Sequence, residues 1–257
     1  MKFKKIGIFD SGIGGLSIVQ EVLKIPGLEI VYYADTAHVP YGNRSVQEIQ
    51  QLSYCAIQKL VAYKVDAIII ACHTVTTNAL DFLKEQFPTI FFIDVVDLIL
   101  QQVAIMHVPK KSIGILGTQA TISSGIYEKK LQEKWHEAVI IPQACPQLAF
   151  AIEYEFENRK HLIQLLTTYT EQLRKNNVEV IVLACTHYAL IQELIASVFD
   201  YAITLISAEQ SMHNRLIPFV VPSMHKTVIS YFSTGSSDQF CLKIKKFTNS
   251  DFRIIQH

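Results

Sequence analysis

"VDAIIIACHT" (Val65 to Thr74) nearly repeats more than a hundred residues later as "VEVIVLACTHY" (Val178 to Tyr188). Each stretch runs from an acidic residue through a short apolar run to Ala-Cys, with His and Thr following in opposite order. The runs "DAIIIA" (Asp66 to Ala71) and "EVIVLA" (Glu179 to Ala184) show no alternation of polar and apolar residues. Such runs read as strands covered on both faces, the habit of a parallel sheet.

The flanking segments repeat the same logic. "KIGIFD" (Lys5 to Asp10) reads as a strand that ends in "SGIGG", and "LSIVQEVLKI" (Leu16 to Ile25) follows with helical spacing, closed by Pro26 and Gly27. "EIVYYAD" (Glu29 to Asp35) reads as a strand and "VQEIQQLSYCAIQKLVAYK" (Val46 to Lys64) as an amphipathic helix. The order begins again at "SIGILGTQAT" (Ser112 to Thr121), which aligns with "KIGIFDSGIG". A strand "EAVIIPQA" (Glu137 to Ala144) and one helix "HLIQLLTTYTEQLRKN" (His161 to Asn176) come next. Alternating strands and helices predict an α/β fold of two similar Rossmann-like, doubly wound units with parallel sheets. "AITLISAEQS" (Ala202 to Ser211) and the β-like "TVISYFST" (Thr227 to Thr234) leave a tail longer than a linker needs. The simplest arrangement returns that tail to the first unit, giving 1–97 plus 208–257 and 98–207 as the expected domains.

Composition narrows the classes of function. The 257 residues carry 23 Lys plus Arg against 23 Asp plus Glu, so the electrostatic footprint of a general nucleic-acid binder is missing. The basic run "KIKKF" (Lys243 to Phe247) reads as a solvated face. "TIFFIDVVDLIL" is interrupted by Asp94 and Asp97, short of the roughly 18 apolar residues of a membrane span. The start of the chain reaches Asp10 too soon for a secretory signal, so a cytoplasmic location is expected. Five cysteines, an odd number in a chain of this length, are expected to be reduced thiols rather than staples.

Open α/β sheets bind ligands beyond the carboxyl ends of their strands. Here those ends carry Asp10, Ser11, Asp35, Cys72, His73, Thr74, Thr118, Thr121, Cys145, Cys185, Thr186 and His187. "DSGIGG" (Asp10 to Gly15) fits neither the P-loop spacing nor GxGxxG; it is a tight turn, or a close backbone approach to a ligand at a helix start. "HVPYG" (His38 to Gly42) reads as a turn. A cysteine at a helix start is expected to feel the positive end of the dipole, which favours its thiolate. One such cysteine is ordinarily a small buried hydrophobe, but two at equivalent positions point to chemistry. Three active readings remain open: a zinc site of Cys72, His73, Cys185 and His187; one nucleophilic cysteine with His187 as base; or two thiols facing each other as acid and base. The last suits inversion of a stereocentre, where one group removes a proton from one face and a like group delivers one to the other.

The sequence resembles bacterial glutamate racemase, of the cofactor-independent aspartate/glutamate racemase family. The likeness is carried by "FDSGIGGLS" (Phe9 to Ser17), "YYADTAHVPYG" (Tyr32 to Gly42), "ACHT" (Ala71 to Thr74), "GTQATISSGIY" (Gly117 to Tyr127), "CPQLAFAIE" (Cys145 to Glu153) and "ACTHYALI" (Ala184 to Ile191). What the resemblance implies is substrate bound in the cleft between the halves, with no cofactor and no metal. Cys72 would take the α-proton from D-glutamate and Cys185 from L-glutamate, with Asp10 assisting Cys72, and His187 and Glu153 assisting Cys185. Ser11, Tyr41, Gly42, Thr74, Thr118, Thr121 and Thr186, joined by Asp10, His73 and His187, would bind the substrate. The family also implies supply of D-glutamate for peptidoglycan, a small-molecule partner only, and a homodimer. The chain departs from the family pattern at His73, where Asn is usual, at Ala184 and Ala189 for Gly and Pro, and at Asp94-Val95 for Glu-Pro. These departures keep two alternatives open: a racemase preferring aspartate or another amino acid, and a low-turnover amino-acid-binding or regulatory protein of the same fold.

Overall fold

The computed structural model describes residues 2–105, 112–248 and 253–254. Parts of both expected domains, 106–111 in one and 249–252 and 255–257 in the other, lie outside the described residues. The strands are β1 (Lys5–Asp10), β2 (Glu29–Ala34), β3 (Ala67–Ile70), β4 (Phe91–Asp94), β5 (Ser112–Gly117), β6 (Val139–Ala144), β7 (Val180–Ala184), β8 (Thr204–Ile206), β9 (Val228–Ser233) and β10 (Arg253–Ile254). They form two sheets, β10-β9-β2-β1-β3-β4 and β6-β5-β7-β8. Every pairing in both is parallel. The order β2-β1-β3-β4 in one sheet is matched by β6-β5-β7-β8 in the other, the pseudo-symmetry predicted from the repeated motifs. Among the described residues, no helix is long and apolar enough to cross a membrane.

Alternate side chains of the apolar runs go to opposite faces, because successive residues of a strand point opposite ways. Ile6, Ile8, Ile30, Tyr32 and Ile69 face one cluster, while Phe9, Val31, Ile68 and Ile70 face another. In the second sheet Ile113, Ile115, Val180 and Val182 join the first of these clusters, and Leu116, Ile181 and Leu183 form a third. One apolar core therefore runs between the inner faces of both sheets, through Val95, Leu98, Ile99 and Val103 of the helix Val95–Ile105. Full burial of each such side chain is worth roughly 1.5–3 kcal/mol. The site is built on this shared floor.

Some elements differ from the sequence reading. The first helix spans Leu16–Val22 and ends before Ile25, since the residue before Pro26 is biased away from helix and Gly27 turns the chain with φ 85°. The single helix expected over His161 to Asn176 is two, Arg159–Tyr169 and Glu171–Lys175. At the break the Thr170 N–H and hydroxyl both donate to the Leu166 carbonyl, each at 2.8 Å. Of "AITLISAEQS" only Thr204–Ile206 is strand, and Glu209–Leu216 is helix. β9 pairs with β2, so the last long strand lies in the first sheet.

Candidate active site

In each sheet the chain reverses direction of winding at the central strand, between β1 and β3 and between β5 and β7. Crevices at such switch points collect ligands. Register brings the strand ends level: Phe9 lies beside Ile70, and Gly117 beside Ala184. Asp10 and Ser11 thus emerge next to Cys72, and Thr118 next to Cys185. Cys72 caps the helix His73–Gln86, and Cys185 caps the short helix Thr186–Ala189.

Both cysteines line one cavity, with Ser11, Tyr41, Gly42, His73, Thr74, Thr118, Thr186 and His187. Pro40 and Ala149 complete the lining. Space for a water centre is only about 10 Å³, enough for about one water molecule. Asp10, Thr121 and Glu153 stand behind this wall as buried polar groups.

The two cysteines have different neighbours. The Cys72 sulfur is 3.6 Å from Ser11 Oγ, which donates to Asp10 Oδ1 at 3.4 Å. Asp10 also accepts the Gly12 N–H at 3.0 Å and the Thr186 hydroxyl at 2.9 Å, so it joins the two halves. Burial raises the Asp10 carboxyl, against the pull of His187, Gly12 and Thr186. The expectation that a helix start favours the Cys72 thiolate is overturned. Burial and then the negative charge of Asp10 push this thiol up to about 12, outweighing the Val75 N–H and the Ser11 hydroxyl.

On the other side Cys185 Sγ lies 3.9 Å from His187 Nδ1. His187 Nε2 donates to Glu153 Oε2 at 2.7 Å, and the same oxygen accepts the Ile13 N–H at 3.0 Å. Burial alone would lower the imidazole, but its hydrogen bonds and charge pairing with Cys185 and Glu153 raise it to about 10. Glu153 shows the opposite contest. Burial raises it, while His187, Lys243 and Ile13 together bring it down to about 2. A charged pair therefore stands behind Cys185.

Three hydroxyls, Thr74, Thr118 and Thr121, close a triangle with edges of 2.9, 2.9 and 3.3 Å. Tyr41 lines the cavity with its ring, while its hydroxyl donates to Asp35 at 2.5 Å. Asp35 also accepts the Thr234 hydroxyl at 2.6 Å and meets His38 at 2.8 Å, so it fastens the loop rather than facing the cavity. Cys145 is buried away from the lining, and its carbonyl accepts the Tyr188 hydroxyl.

The glycine turn answers one question left by the sequence. A Cβ on Gly12 would run into Glu153, and one on Gly14 into Thr186 and, at 2.7 Å, the His187 nitrogen. The close approach is to the opposite half of the protein.

His73 Nδ1 meets the Tyr127 hydroxyl at 2.6 Å. Burial lowers this imidazole to about 3, so it is neutral at pH 7. His73 and His187 each commit a nitrogen to these partners, and among the described residues no group of three or more His, Cys, Asp or Glu is arranged to hold a metal ion.

Two participants escaped the sequence reading. Tyr127 gave no signal beyond its place in a matched motif. Lys243, in a run read as a solvated face, reaches Glu153 Oε1 at 2.8 Å; nothing in the local spacing pairs residues 90 apart.

The family described as Asp/Glu/Hydantoin racemase matches this chain over residues 17–210. The chain is 34% identical over 228 residues to glutamate racemase of Aliarcobacter butzleri, covering 87% of each. It is 32% identical over 257 residues to glutamate racemase of Herpetosiphon aurantiacus, covering 95% of this chain and 100% of that one. Among solved structures it is similar to glutamate racemase isoform RacE1 from Bacillus anthracis, with TM-score 0.91, 28% identity and coverage of 100% and 98%. It is likewise similar to the Francisella tularensis glutamate racemase in complex with D-glutamate, with TM-score 0.88, 26% identity and coverage of 100% and 97%.

Proposed function

From the premise that this chain belongs to the Asp/Glu/Hydantoin racemase family, and so is an amino-acid racemase, we propose that it interconverts L- and D-glutamate by proton transfer between Cys72 and Cys185. One observation carries this reading. The two thiols leave equivalent strands of two matched sheets and line the same small cavity. A substrate α-carbon between them would have one sulfur on each face. One removes the proton while the other supplies its replacement, and the roles exchange for the reverse reaction.

The surroundings fit these roles unequally. Cys72, pushed up to about 12, rests as a thiol and is ready to donate. When it serves as base, Ser11 links it to Asp10. Cys185 has His187 beside it, held by Glu153. Ser11, Gly42, Thr74, Thr118, Thr121 and Thr186 offer hydroxyls and backbone N–H groups for the substrate carboxylates and amine, with Tyr41 and His73 as walls. The hydroxyl triangle satisfies itself only until a better acceptor arrives.

The cavity as it stands holds about one water, and entry of glutamate by a parting of the halves belongs to this proposal. We take these halves as 1–97 plus 208–257 and 98–207. Supply of D-glutamate for peptidoglycan, a cytoplasmic setting and a homodimer belong to the same proposal, on family likeness. Cys72→Ser and Cys185→Ser test the two-thiol core. Each should lower kcat by orders of magnitude with the fold intact, and full activity in either variant rules the mechanism out.

A further inference from the structure

We propose that Lys243, on the helix Ser237–Phe247, is a positioning residue for the Cys185 side of the site, acting through Glu153 and His187. This inference rests on the two-cysteine reading above.

Glu153 is fully buried, and a buried carboxylate is tolerated only when its oxygens are paired. Oε2 is taken by His187 and Ile13, leaving Oε1 to Lys243 alone among the bonds described. The terminal torsion of a glutamate is soft. A carboxylate held by one oxygen can swing, and the imidazole bonded to it swings too. Fixing Oε1 fixes the direction of Oε2, hence the ring of His187 and the 3.9 Å approach of Nδ1 to the sulfur.

Lys243 is itself held in place. Its ammonium lies 5.0 Å from the centre of the Tyr154 ring, and its helix is anchored by buried Phe240 and Ile244. One turn on, Lys246 pairs with Glu157, but that carboxylate is 86% exposed and such a pair contributes little. Lys243 differs in ending on a buried carboxylate.

The contact could also serve only to fasten the helix. Charge separates the two roles. Besides Lys243, the ionisable groups around Glu153 are His187, Asp10, Tyr32 and Tyr154, with Glu155, Glu157 and Lys246 along the outer groove. Removing a cation makes its neighbours hold protons more tightly. Both limbs of the pH profile of kcat/KM should therefore move to higher pH, which loss of packing alone would not do.

The test compares the full-length protein with Lys243→Met, Lys243→Arg, Lys246→Met and Cys185→Ser, each checked for cooperative thermal unfolding. Lys243→Met should lower kcat/KM about tenfold, the scale of one charge-assisted hydrogen bond, and shift both limbs upward. Lys243→Arg should restore the limbs, and Lys246→Met should leave them in place. An unchanged Lys243→Met profile, an even loss with unmoved limbs, or an equal shift in Lys246→Met overturns the proposal. Activity retained in Cys185→Ser instead overturns the two-cysteine reading. An inactive Cys185→Ser beside unmoved Lys243→Met limbs removes only the role of Lys243.

Discussion

His73 Nδ1 and the Tyr127 hydroxyl are 2.6 Å apart, a bond from the helix after β3 to Ile126–Lys134, the second helix after β5. The His73 ring fills part of the cavity wall, and its bond ties the two halves together. A neutral imidazole offers one donor and one acceptor, one on each ring nitrogen.

Tyr127→Phe leaves a buried ring nitrogen without its partner, which costs about 1–3 kcal/mol. Urea unfolding should show a loss of that size. His73→Asn should change the ratio of kcat/KM for glutamate to that for aspartate, and an unchanged ratio clears His73 of any part in selectivity.

The site groups contribute to the pH dependence of stability with opposing signs: Asp10, raised by burial, contributes stability that is lost as pH rises. His73, at about 3 in the folded protein against its ordinary 6.5, binds fewer protons folded than unfolded between those values. Its contribution is therefore lost as pH falls from 6.5 towards 3, by at most about 1.4 kcal/mol per pH unit. Glu153 acts in the same direction, its contribution present above 4.5 and lost as pH falls through about 2. His187 is opposite: its contribution is complete below 6.5 and lost as pH rises through about 10. Urea unfolding between pH 4.5 and 6.5 should show that His73→Asn removes a contribution that rises with pH, so the slope of stability against pH is smaller in the variant than in the unaltered protein.

Gly14→Ala should damage activity more than stability. Its Cβ would meet Thr186 and the His187 backbone across the cleft, so the halves cannot close fully. We expect kcat/KM to drop by about tenfold or more, as a misplacement near 1 Å can cause, with little change in Tm. Equal activity in Gly14→Ala contradicts this account of the glycine turn.

Much of this was legible because β1, β2, β3, β5 and β7 are buried along most of their length and so appear as apolar runs. Their ends marked Asp10, Cys72, Thr118 and Cys185 in advance. What stayed hidden depends on docking. The Lys243–Glu153 pair forms only once the C-terminal helix lies against the second half. The sign of the Cys72 shift depends on burial and Asp10, which no local reading of a helix start can weigh. The split at Thr170 has no signal in the spacing of apolar residues across it.

Thiol labelling should reveal the proposed opening of the cleft. Cys55 is exposed, whereas Cys72 and Cys185 are buried. Iodoacetamide should modify Cys55 first and the cavity thiols slowly, with glutamate slowing them further. Immediate labelling of Cys72 and Cys185, unaffected by glutamate, contradicts a closed cleft.

The most direct test is incubation of the protein with L-glutamate in D2O, following the α-proton by NMR and the enantiomers by chiral separation. D-glutamate carrying deuterium at the α-carbon is expected, with Cys72→Ser and Cys185→Ser each blocking its formation. No α-proton exchange with either glutamate enantiomer, or racemisation that persists in either single variant, contradicts it.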